Sequence, residues 1–183
     1  MNNITIIPIK NLPEFEPKHE LADEIIKSFS SNNFVLEDKD VIVITQKIVS
    51  KVEDRLIKDD YESIEKLIQQ ESIEILRKRG ETVIARTKHG FICANAGIDK
   101  SNIEKGSVLL LPEDPDKTCR DIRKKIDHLI NKKISIIISD TFGRAWRKGQ
   151  TNVAIGSSGI EPLESYIGAV SYTHLTLPTI RSV

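Results

Sequence analysis

The chain has 183 residues, with 27 basic and 27 acidic side chains and a formal net charge of zero. This balance gives no global attraction to nucleic acid or to a membrane surface, so a bound anion must be held by a local group of charges. The apolar runs are too short for a membrane span of ~20 residues or for a signal peptide. Cys93 and Cys119 form no zinc or disulfide pattern. We therefore expect a cytoplasmic protein without a nucleic acid or membrane partner.

The first part of the chain predicts a strand, a helix and a second strand. Ile4–Ile9 is rich in β-branched residues, which is typical of a strand. Pro17 suits the first turn of a helix, where its missing N–H costs no hydrogen bond. Four apolar side chains then share one helical face: Leu21, Ala22, Ile25 and Phe29. The continuous apolar run Val41–Ile44 predicts a strand that is buried on both faces.

The middle of the chain predicts a long helix followed by a pair of strands. Tyr61–Arg79 has the apolar spacing of a helix, and Gly80 suits the position directly after a helix end. Thr82–Thr87 and Phe91–Ala94 then predict two strands with a turn at Gly90.

The remaining elements complete a mixed pattern. Ser107–Leu111 predicts a strand, and Lys133–Ser139 predicts another that is followed directly by Asp140. Asp114 and Pro115 open a clear helix. Its inward residues are expected to be Cys119, Ile122, Ile126, Leu129 and Ile130. Strands and helices do not alternate strictly enough for a doubly wound parallel sheet, so we expect an α+β, or mixed α/β, fold.

A first polar cluster follows the last predicted strand, at 139–147. Asp140 is a hard oxygen donor at a strand end, suited to Mg²⁺ or Mn²⁺. Arg144 and Arg147 carry planar guanidinium groups that match phosphate or carboxylate oxygens. An ordinary turn with solvated arginines is the alternative, because a single acidic residue has no diagnostic spacing.

A second polar cluster, at 94–102, follows another predicted strand. Asp99 could be a second metal ligand, and Asn102 can donate and accept hydrogen bonds to a base or ribose. The same composition also favours a simple Asx-type turn.

Two weaker features concern anions. Lys47 and Lys51 are four residues apart, so on a helix they would share a face that could bind phosphate, although solvated lysine pairs are common. The segment 156–159 could direct backbone N–H groups at an anion, but it is not a Walker A loop and could be an ordinary turn. The histidines have no partners at ligand spacing, so we assign them no catalytic role.

Four long blocks of the sequence occur in order: Ile44–Lys51, His89–Asn102, Leu110–Asp116 and Ser139–Gly156. Together they resemble the coenzyme F-420-0:L-glutamate ligase (F-420:gamma-glutamyl ligase) family. The resemblance covers residues 4–168 and is specific because several blocks agree at once. Ala145 is a small departure, since many members have proline there.

The resemblance implies a two-domain mixed α/β fold that forms an intertwined homodimer. It also implies an enzyme that uses GTP and Mg²⁺ or Mn²⁺, with two metal sites, to attach L-glutamate to F-420-0. The amide bond would form through an acyl phosphate. The family pattern admits K⁺ as a further cation.

The same resemblance assigns roles to particular residues. Metal ligands would be Asp99, Asp140 and Thr141. Nucleotide contacts would come from Leu12, Pro13, Glu14, Phe15, Gln46, Lys47, Lys51 and Asn102. Arg144 and Arg147 are assigned to phosphate or substrate on their chemistry alone. The sequence identifies no general base.

The end of the chain departs from the family pattern. Residues 1–170 are expected to form the ligase-like domain, as the N-terminal portion of the family fold, whereas residues 171–183 resemble translated adapter sequence. We therefore expect the fold to be incomplete at its C-terminus and this chain to be inactive or poorly folded by itself. The alternatives are another metal-dependent phosphotransferase or nucleotide hydrolase, a non-catalytic nucleotide-binding domain, and a ligase fused to a flavin-binding module.

Overall fold

The computed structural model describes residues 4–58, 63–101, 106–143 and 148–163. Within them the helices are α1 (Leu21–Ser31), α2 (Gln46–Val52), α3 (Ser63–Glu71) and α4 (Pro115–Ile130). The strands are β1 (Val41–Thr45), β2 (Leu56–Lys58), β3 (Ser72–Arg79), β4 (Thr82–Thr87), β5 (Ile92–Ala94), β6 (Ser107–Leu109), β7 (Ser135–Gly143) and β8 (Gln150–Ser158). This mixture confirms the expected α+β, mixed α/β class. The number of domains stays a prediction.

The described strands form three small sheets. In the first, β7 lies between β1 and β8, parallel to β1 and antiparallel to β8. In the second, β2 and β6 pair antiparallel. In the third, β4 lies between β3 and β5, and both pairings are antiparallel. We call the first the large sheet, because its strands are the longest as a group, and the third the small sheet.

The main core lies between the large sheet and the helices α1 and α4. Ile136 and Ile138 of β7 are fully buried, as is Ile126 of α4. The start of α4 agrees with the sequence prediction: Pro115 is its first residue, and the Asp114 carboxylate accepts a hydrogen bond from the Lys117 N–H at 2.8 Å. This cap satisfies one of the unpaired N–H groups of the first turn.

Strand β8 passes very close to the first turn of α4. A Cβ atom at Gly156 would lie 2.6 Å from the Pro115 backbone, so a side chain there would collide with the helix. The predicted loop at 156–159 is wrong, because residues up to Ser158 belong to β8. The Ser157 N–H does meet an anion, but that anion is the Asp116 carboxylate of the protein itself, at 2.8 Å.

Two predictions near the N-terminus are wrong. Residues 4–9 form no strand, and Ile4 and Ile6 are 91% and 90% exposed. A strand needs a partner for its backbone groups, and no described strand pairs with this segment. Pro17 lies before α1, which begins at Leu21, so it is not in the first turn of the helix.

The long helix predicted over Tyr61–Arg79 is confirmed for Ser63–Glu71 and wrong for Ser72–Arg79, while residues 61 and 62 lie outside the described residues. α3 ends at Glu71, and the chain continues as β3, which pairs along its length with β4. Strand pairing outweighs the helical spacing, because β preference depends on the surrounding sheet more than on the local sequence. Gly80 therefore lies in the tight turn between β3 and β4, with φ +58°, and does not end a helix.

The remaining predicted strands and helices are confirmed, but some of their residues differ in burial and some elements end at other residues. β1 is confirmed, but it is not buried on both faces: Val41 and Val43, which alternate with the more buried Ile42 and Ile44, are exposed on one face of the strand. Leu129 was expected to face inward and is 52% exposed in the last turn of α4. β7 runs through Gly143, so Asp140 lies within the strand and not after it.

In the described part of the chain no helix could cross a membrane.

Candidate functional site

Lys47 and Asp99 form an ion pair between two separate parts of the fold. Lys47 lies in the first turn of α2, directly after β1. Asp99 follows the short 3₁₀ turn Asn95–Gly97 and forms an isolated antiparallel bridge with Leu109, in which each N–H donates to the other carbonyl at 2.9 Å. This bridge fixes the Asp99 backbone, and the Lys47 ammonium lies 3.0 Å from Asp99 Oδ2.

Ser101 completes the surroundings of the Lys47 ammonium. Its N–H donates to Asp99 Oδ1 at 2.7 Å, which is the hydrogen bond of an Asx turn. Lys47 Nζ donates to the Ser101 carbonyl at 3.0 Å and to Ser101 Oγ at 2.7 Å. No role was predicted for Ser101 from the sequence, although an Asp two residues before a Ser is a usable signal for such a turn.

The parallel pairing of β1 with β7 brings Asp140 to the same place. Thr45 pairs with Ser139, so the start of α2 follows β1 beside the next residue of β7, Asp140. The charges of Asp99 and Lys47 both act on the Asp140 carboxyl. The structure therefore brings together Lys47, Asp99 and Asp140, which come from three of the four sequence blocks.

The two carboxyl groups have opposite pKa shifts. Burial raises the pKa of Asp140, the Thr141 backbone N–H lowers it, and the negative charge of Asp99 raises it further, so the net shift is upward. Burial also acts to raise the pKa of Asp99, but hydrogen bonds from Ser101 and Lys47 outweigh it and the net shift is downward. One ammonium thus faces two carboxyl groups, and Asp140 is the carboxyl whose charge is poorly compensated.

Thr141 is next to Asp140 but faces away from it. Successive side chains of a strand point to opposite sides of the sheet, and the Thr141 hydroxyl donates to Asn152 Oδ1 of β8 at 2.8 Å. The structure does not bring this hydroxyl to the Asp99 side of the strand. The metal roles of Asp99, Asp140 and Thr141 stay predictions.

Gln46 lies at the site but is fully buried. Its Nε2 donates to Ser50 Oγ at 2.7 Å and to the Leu110 carbonyl at 3.1 Å, which ties α2 to the segment after β6. Its Oε1 is buried without a hydrogen-bond partner among the described residues. Gln46 therefore has a structural role in holding α2, and its expected contact with the nucleotide stays a prediction.

The other residues expected to bind the nucleotide, phosphate or substrate differ in their surroundings. Lys51, one turn after Lys47, pairs with Glu14, and this contact lowers the pKa of the Glu14 carboxyl. Phe15 is buried in the core and Leu12 packs against it, while Pro13 is exposed. Asn102, Arg144 and Arg147 lie outside the described residues.

A cavity of about 740 Å³ opens beside Asp99. Ile68, Val83 and Ile98 contribute apolar walls, and Asp99 and Ser101 lie at its edge. The volume falls within the range of about 300–1,000 Å³ usual for small-molecule sites. A nucleotide-sized ligand in this cavity would therefore contact Asp99, whereas Lys47 and Asp140 are not among the described residues that line it.

The donor set at the site fits a hard divalent cation. Among the described residues no group of three or more His, Cys, Asp or Glu side chains converges on one point. Two carboxyl groups are nevertheless sufficient for Mg²⁺, which usually keeps waters and takes further oxygens from substrate phosphates. Poor compensation of the Asp140 charge is a physical reason for a cation to bind there.

A second group of ion pairs, which the sequence did not indicate, connects segments next to the site. Arg55 donates from Nη2 to Glu71 at 2.8 Å and from Nε to the Leu111 carbonyl at 3.0 Å. Glu71 is buried, and Lys88 approaches it at 3.5 Å. These contacts join the end of α3 and the small sheet to the segment that follows Leu109, the bridge partner of Asp99.

Fold and site together define a mixed α/β protein with lysines and carboxyl groups gathered at one end of a parallel strand pair. The chain belongs to the F420-0:gamma-glutamyl ligase family, whose sequence model matches residues 10–180. That range extends into residues 171–183, whose expected departure from the family stays a prediction.

Curated relatives are similar to this chain over most of its length. A coenzyme F420:L-glutamate ligase of Methanococcus maripaludis strain S2 is 41% identical over an alignment of 146 residues, which covers 70% of this chain and 58% of the relative. The coenzyme F420:L-glutamate ligase of Methanocaldococcus jannaschii is 41% identical over 144 residues, which covers 69% of this chain and 57% of that protein. The chain thus spans a little more than half the length of the relatives it matches.

Proposed function

We propose that this chain serves in the GTP-dependent ligation of L-glutamate to the coenzyme F-420 precursor F-420-0. One observation carries the proposal: Lys47, Asp99 and Asp140 lie far apart in the sequence, yet their charges meet in the fold. Membership of the ligase family supports the substrates, because the relatives are named as coenzyme F420:L-glutamate ligases.

Asp99 and Asp140 would hold Mg²⁺ or Mn²⁺ in this proposal. Their carboxylate oxygens are hard donors, which suits these cations better than softer metals. The bound metal would neutralise oxygens of the transferring phosphoryl group. A second metal, and K⁺ as a further cation, belong to the proposal only through the family resemblance.

Lys47 and Lys51 would bind the triphosphate. They lie one turn apart on α2, so their ammonium groups can reach neighbouring phosphates. Each is held by a carboxylate from another segment, Asp99 for Lys47 and Glu14 for Lys51, which keeps both side chains at the site. Fixed positive charge in a site of low dielectric stabilises negative charge that develops during reaction.

The ligation is proposed to proceed in two steps. A carboxylate oxygen of F-420-0 attacks the γ-phosphorus of GTP, which forms a C–O–P linkage and releases GDP. The neutral amine nitrogen of L-glutamate then attacks the acyl carbon, which forms the amide bond, breaks the acyl C–O bond to release inorganic phosphate, and frees one of the two amine protons. Activation is required because a carboxylate and an amine do not condense spontaneously in water.

The working unit is proposed to be a cytoplasmic homodimer. Strand β3 supports this, because it exposes Ile73 at 65% and Ile75 at 45%, and exposed apolar strand edges favour pairing with another chain. Replacing both isoleucines with lysine should leave the melting temperature within a few degrees but shift sedimentation from dimer to monomer. An unchanged sedimentation coefficient would remove this support.

The reaction is tested with labelled L-glutamate, F-420-0, GTP and Mg²⁺. A full-length relative run beside this chain separates the proposed chemistry from the expected inactivity of the chain alone. Nucleotide binding is measured on the chain itself, with a fluorescent GTP analogue and Mg²⁺. Asp140→Asn should weaken metal-dependent binding at least about tenfold, whereas Asp121→Asn, an exposed carboxylate on α4, should not.

The outcomes distinguish the alternative functions. Phosphate release that does not require glutamate would indicate a phosphotransferase or hydrolase. Binding of the analogue without turnover, also in the full-length relative, would indicate a non-catalytic nucleotide-binding domain. Equal analogue binding by the wild-type chain and Asp140→Asn would contradict the proposed metal site.

A further inference from the structure

The ammonium group of Lys47 lies among three oxygen atoms. Asp99 Oδ2 and the Ser101 carbonyl oxygen are both 3.0 Å from Nζ, and Ser101 Oγ is 2.7 Å away. Carboxylate, carbonyl and hydroxyl oxygens are also the donors that hard metal cations take. The protein therefore supplies its own positive charge at the place where the proposed function requires a metal.

The positive charge of Lys47 acts on both carboxyl groups. It pairs directly with Asp99, and it acts on Asp140 in the direction opposite to burial and to the Asp99 charge. Any divalent cation that takes Asp99 as a ligand must displace the ammonium from Oδ2 or accept it as a like-charged neighbour. Both changes disfavour metal binding while Lys47 stays in place.

We propose that Lys47 is an internal cation that competes with the divalent metal for Asp99 and leaves Asp99 when a triphosphate binds. The inference rests on the proposed function, because it takes Asp99 and Asp140 as the metal ligands. Lys47 can make this move because its side chain is partly exposed, at 28%, and its stem is flexible. A phosphate beside α2 would offer the ammonium a stronger partner than one carboxylate.

Two consequences follow for binding. Metal alone binds weakly, since the ammonium already occupies Asp99. Metal and triphosphate strengthen each other, because each stabilises the arrangement in which Lys47 has left Asp99, and the coupling factor is the same from either side. A neutral residue at position 47 removes both effects.

The experiment measures Mn²⁺ alone, without nucleotide, by the electron paramagnetic resonance signal of the free ion in titrations of the full 183-residue chain. Lys47→Met should bind Mn²⁺ at least about tenfold more tightly than the wild type, because a like charge has been removed from beside the metal. Lys47→Arg should bind as weakly as the wild type. Lys47→Gln is a second neutral variant and keeps the test decisive should Lys47→Met not fold.

Lys132→Met is the matched control. Lys132 forms an ion pair with Glu37 at 2.8 Å and is 34% exposed, similar to Lys47, but it lies in the segment that follows the C-terminal end of α4. Its loss should leave Mn²⁺ affinity unchanged. Tighter binding by Lys132→Met would mean that net charge alone sets the affinity and would overturn the inference.

Further outcomes separate this inference from the proposed function. Mn²⁺ binding that depends on Asp140 but is not tightened by Lys47→Met or Lys47→Gln overturns the inference alone. Equal tightening by Lys47→Arg also overturns it, because packing and not charge would be the cause. Tight binding that survives when Asp140→Asn is added to Lys47→Met places the metal elsewhere and contradicts both proposals.

Discussion

The large sheet packs on a more extensive apolar core than the small sheet does. In the large sheet, Ile136 and Ile138 are fully buried under α4, and the core cluster continues through α1. Among the described residues, the buried cluster beside the small sheet consists of Ile68, Val83, Ala85 and Ala96. Its outer strand, β3, is exposed at nearly every position.

This difference bears directly on the site. Asp140 comes from the large sheet, whereas Asp99 follows β5 of the small sheet by a few residues. The Arg55–Glu71 ion pair and the hydrogen bond from Arg55 to Leu111 connect the two regions. Apolar packing joins the two regions as well, because Cys93 of β5 is buried in the main core cluster. The distance between the two carboxyl groups therefore depends on both polar and apolar contacts.

The largest expected effect is on the stability of the large sheet. Ile136→Ala should lower the free energy of unfolding by about 3–4 kcal/mol, because it leaves a cavity in a fully buried position. Ile75→Ala in β3, 45% exposed, should cost no more than about 0.5 kcal/mol. Urea unfolding of both variants measures the difference, and similar losses would mean that the two sheets are not packed differently.

The next largest effect is expected at the polar connection. Arg55→Met should destabilise the protein by about 2 kcal/mol, because it removes one partner of a partly buried ion pair and leaves Glu71 with the more distant Lys88. Adding Glu71→Gln should recover part of this loss. Hydrogen exchange should show that protection falls in the small sheet and persists in β7. An equal loss of hydrogen-exchange protection in both sheets would show that Arg55 is not a local connection.

The smallest effects concern the two aspartates and have opposite signs. The folded pKa of Asp99 is lowered from 3.8, so its contribution to stability is present above 3.8 and is lost as the pH falls through the folded pKa. The folded pKa of Asp140 is raised from 3.8, so its contribution is present below 3.8 and is lost as the pH rises through the folded pKa.

At pH 7 without metal, Asp99→Asn should therefore destabilise the protein, whereas Asp140→Asn should stabilise it, each by roughly 0.5–1 kcal/mol. Thermal melting of the metal-free chain measures both shifts. The difference between Asp140→Asn and the wild type should disappear near pH 3, where the carboxyl group is protonated in both states. Destabilisation by Asp140→Asn at pH 7 would show that the Asp140 charge is well compensated.

Elements with a strong local signal could be predicted from the sequence. The start of α4 follows from the Asp114 cap and Pro115, and β7 follows from its run of isoleucines. Ser72–Arg79 could not be predicted as a strand, because its conformation depends on pairing with β4 and not on its own spacing. The strand prediction for Ile4–Ile9 is wrong for the opposite reason: the composition suits a strand, but no described strand pairs with this segment.

The site shows the same limit. The sequence indicated Lys47, Asp99 and Asp140 as types of residue, but their meeting depends on the register of β1 with β7 and on the Asp99–Leu109 bridge. The opposite orientation of Thr141 follows only once Asp140 is known to lie inside a strand. Arg55 carries no local signal, because its partner Glu71 lies in a segment whose structure the sequence predicted only in part.

The most direct test of the site is whether one cation contacts both aspartates. Mn²⁺ is added in small amounts to the ¹⁵N-labelled chain in the presence of GTP, and paramagnetic broadening is followed in ¹H–¹⁵N spectra. The backbone signals of Asp99, Ser101 and Asp140 should broaden together at the same Mn²⁺ concentration, while those of β3 stay sharp. Broadening of Asp99 without Asp140, or of neither, would contradict a shared site.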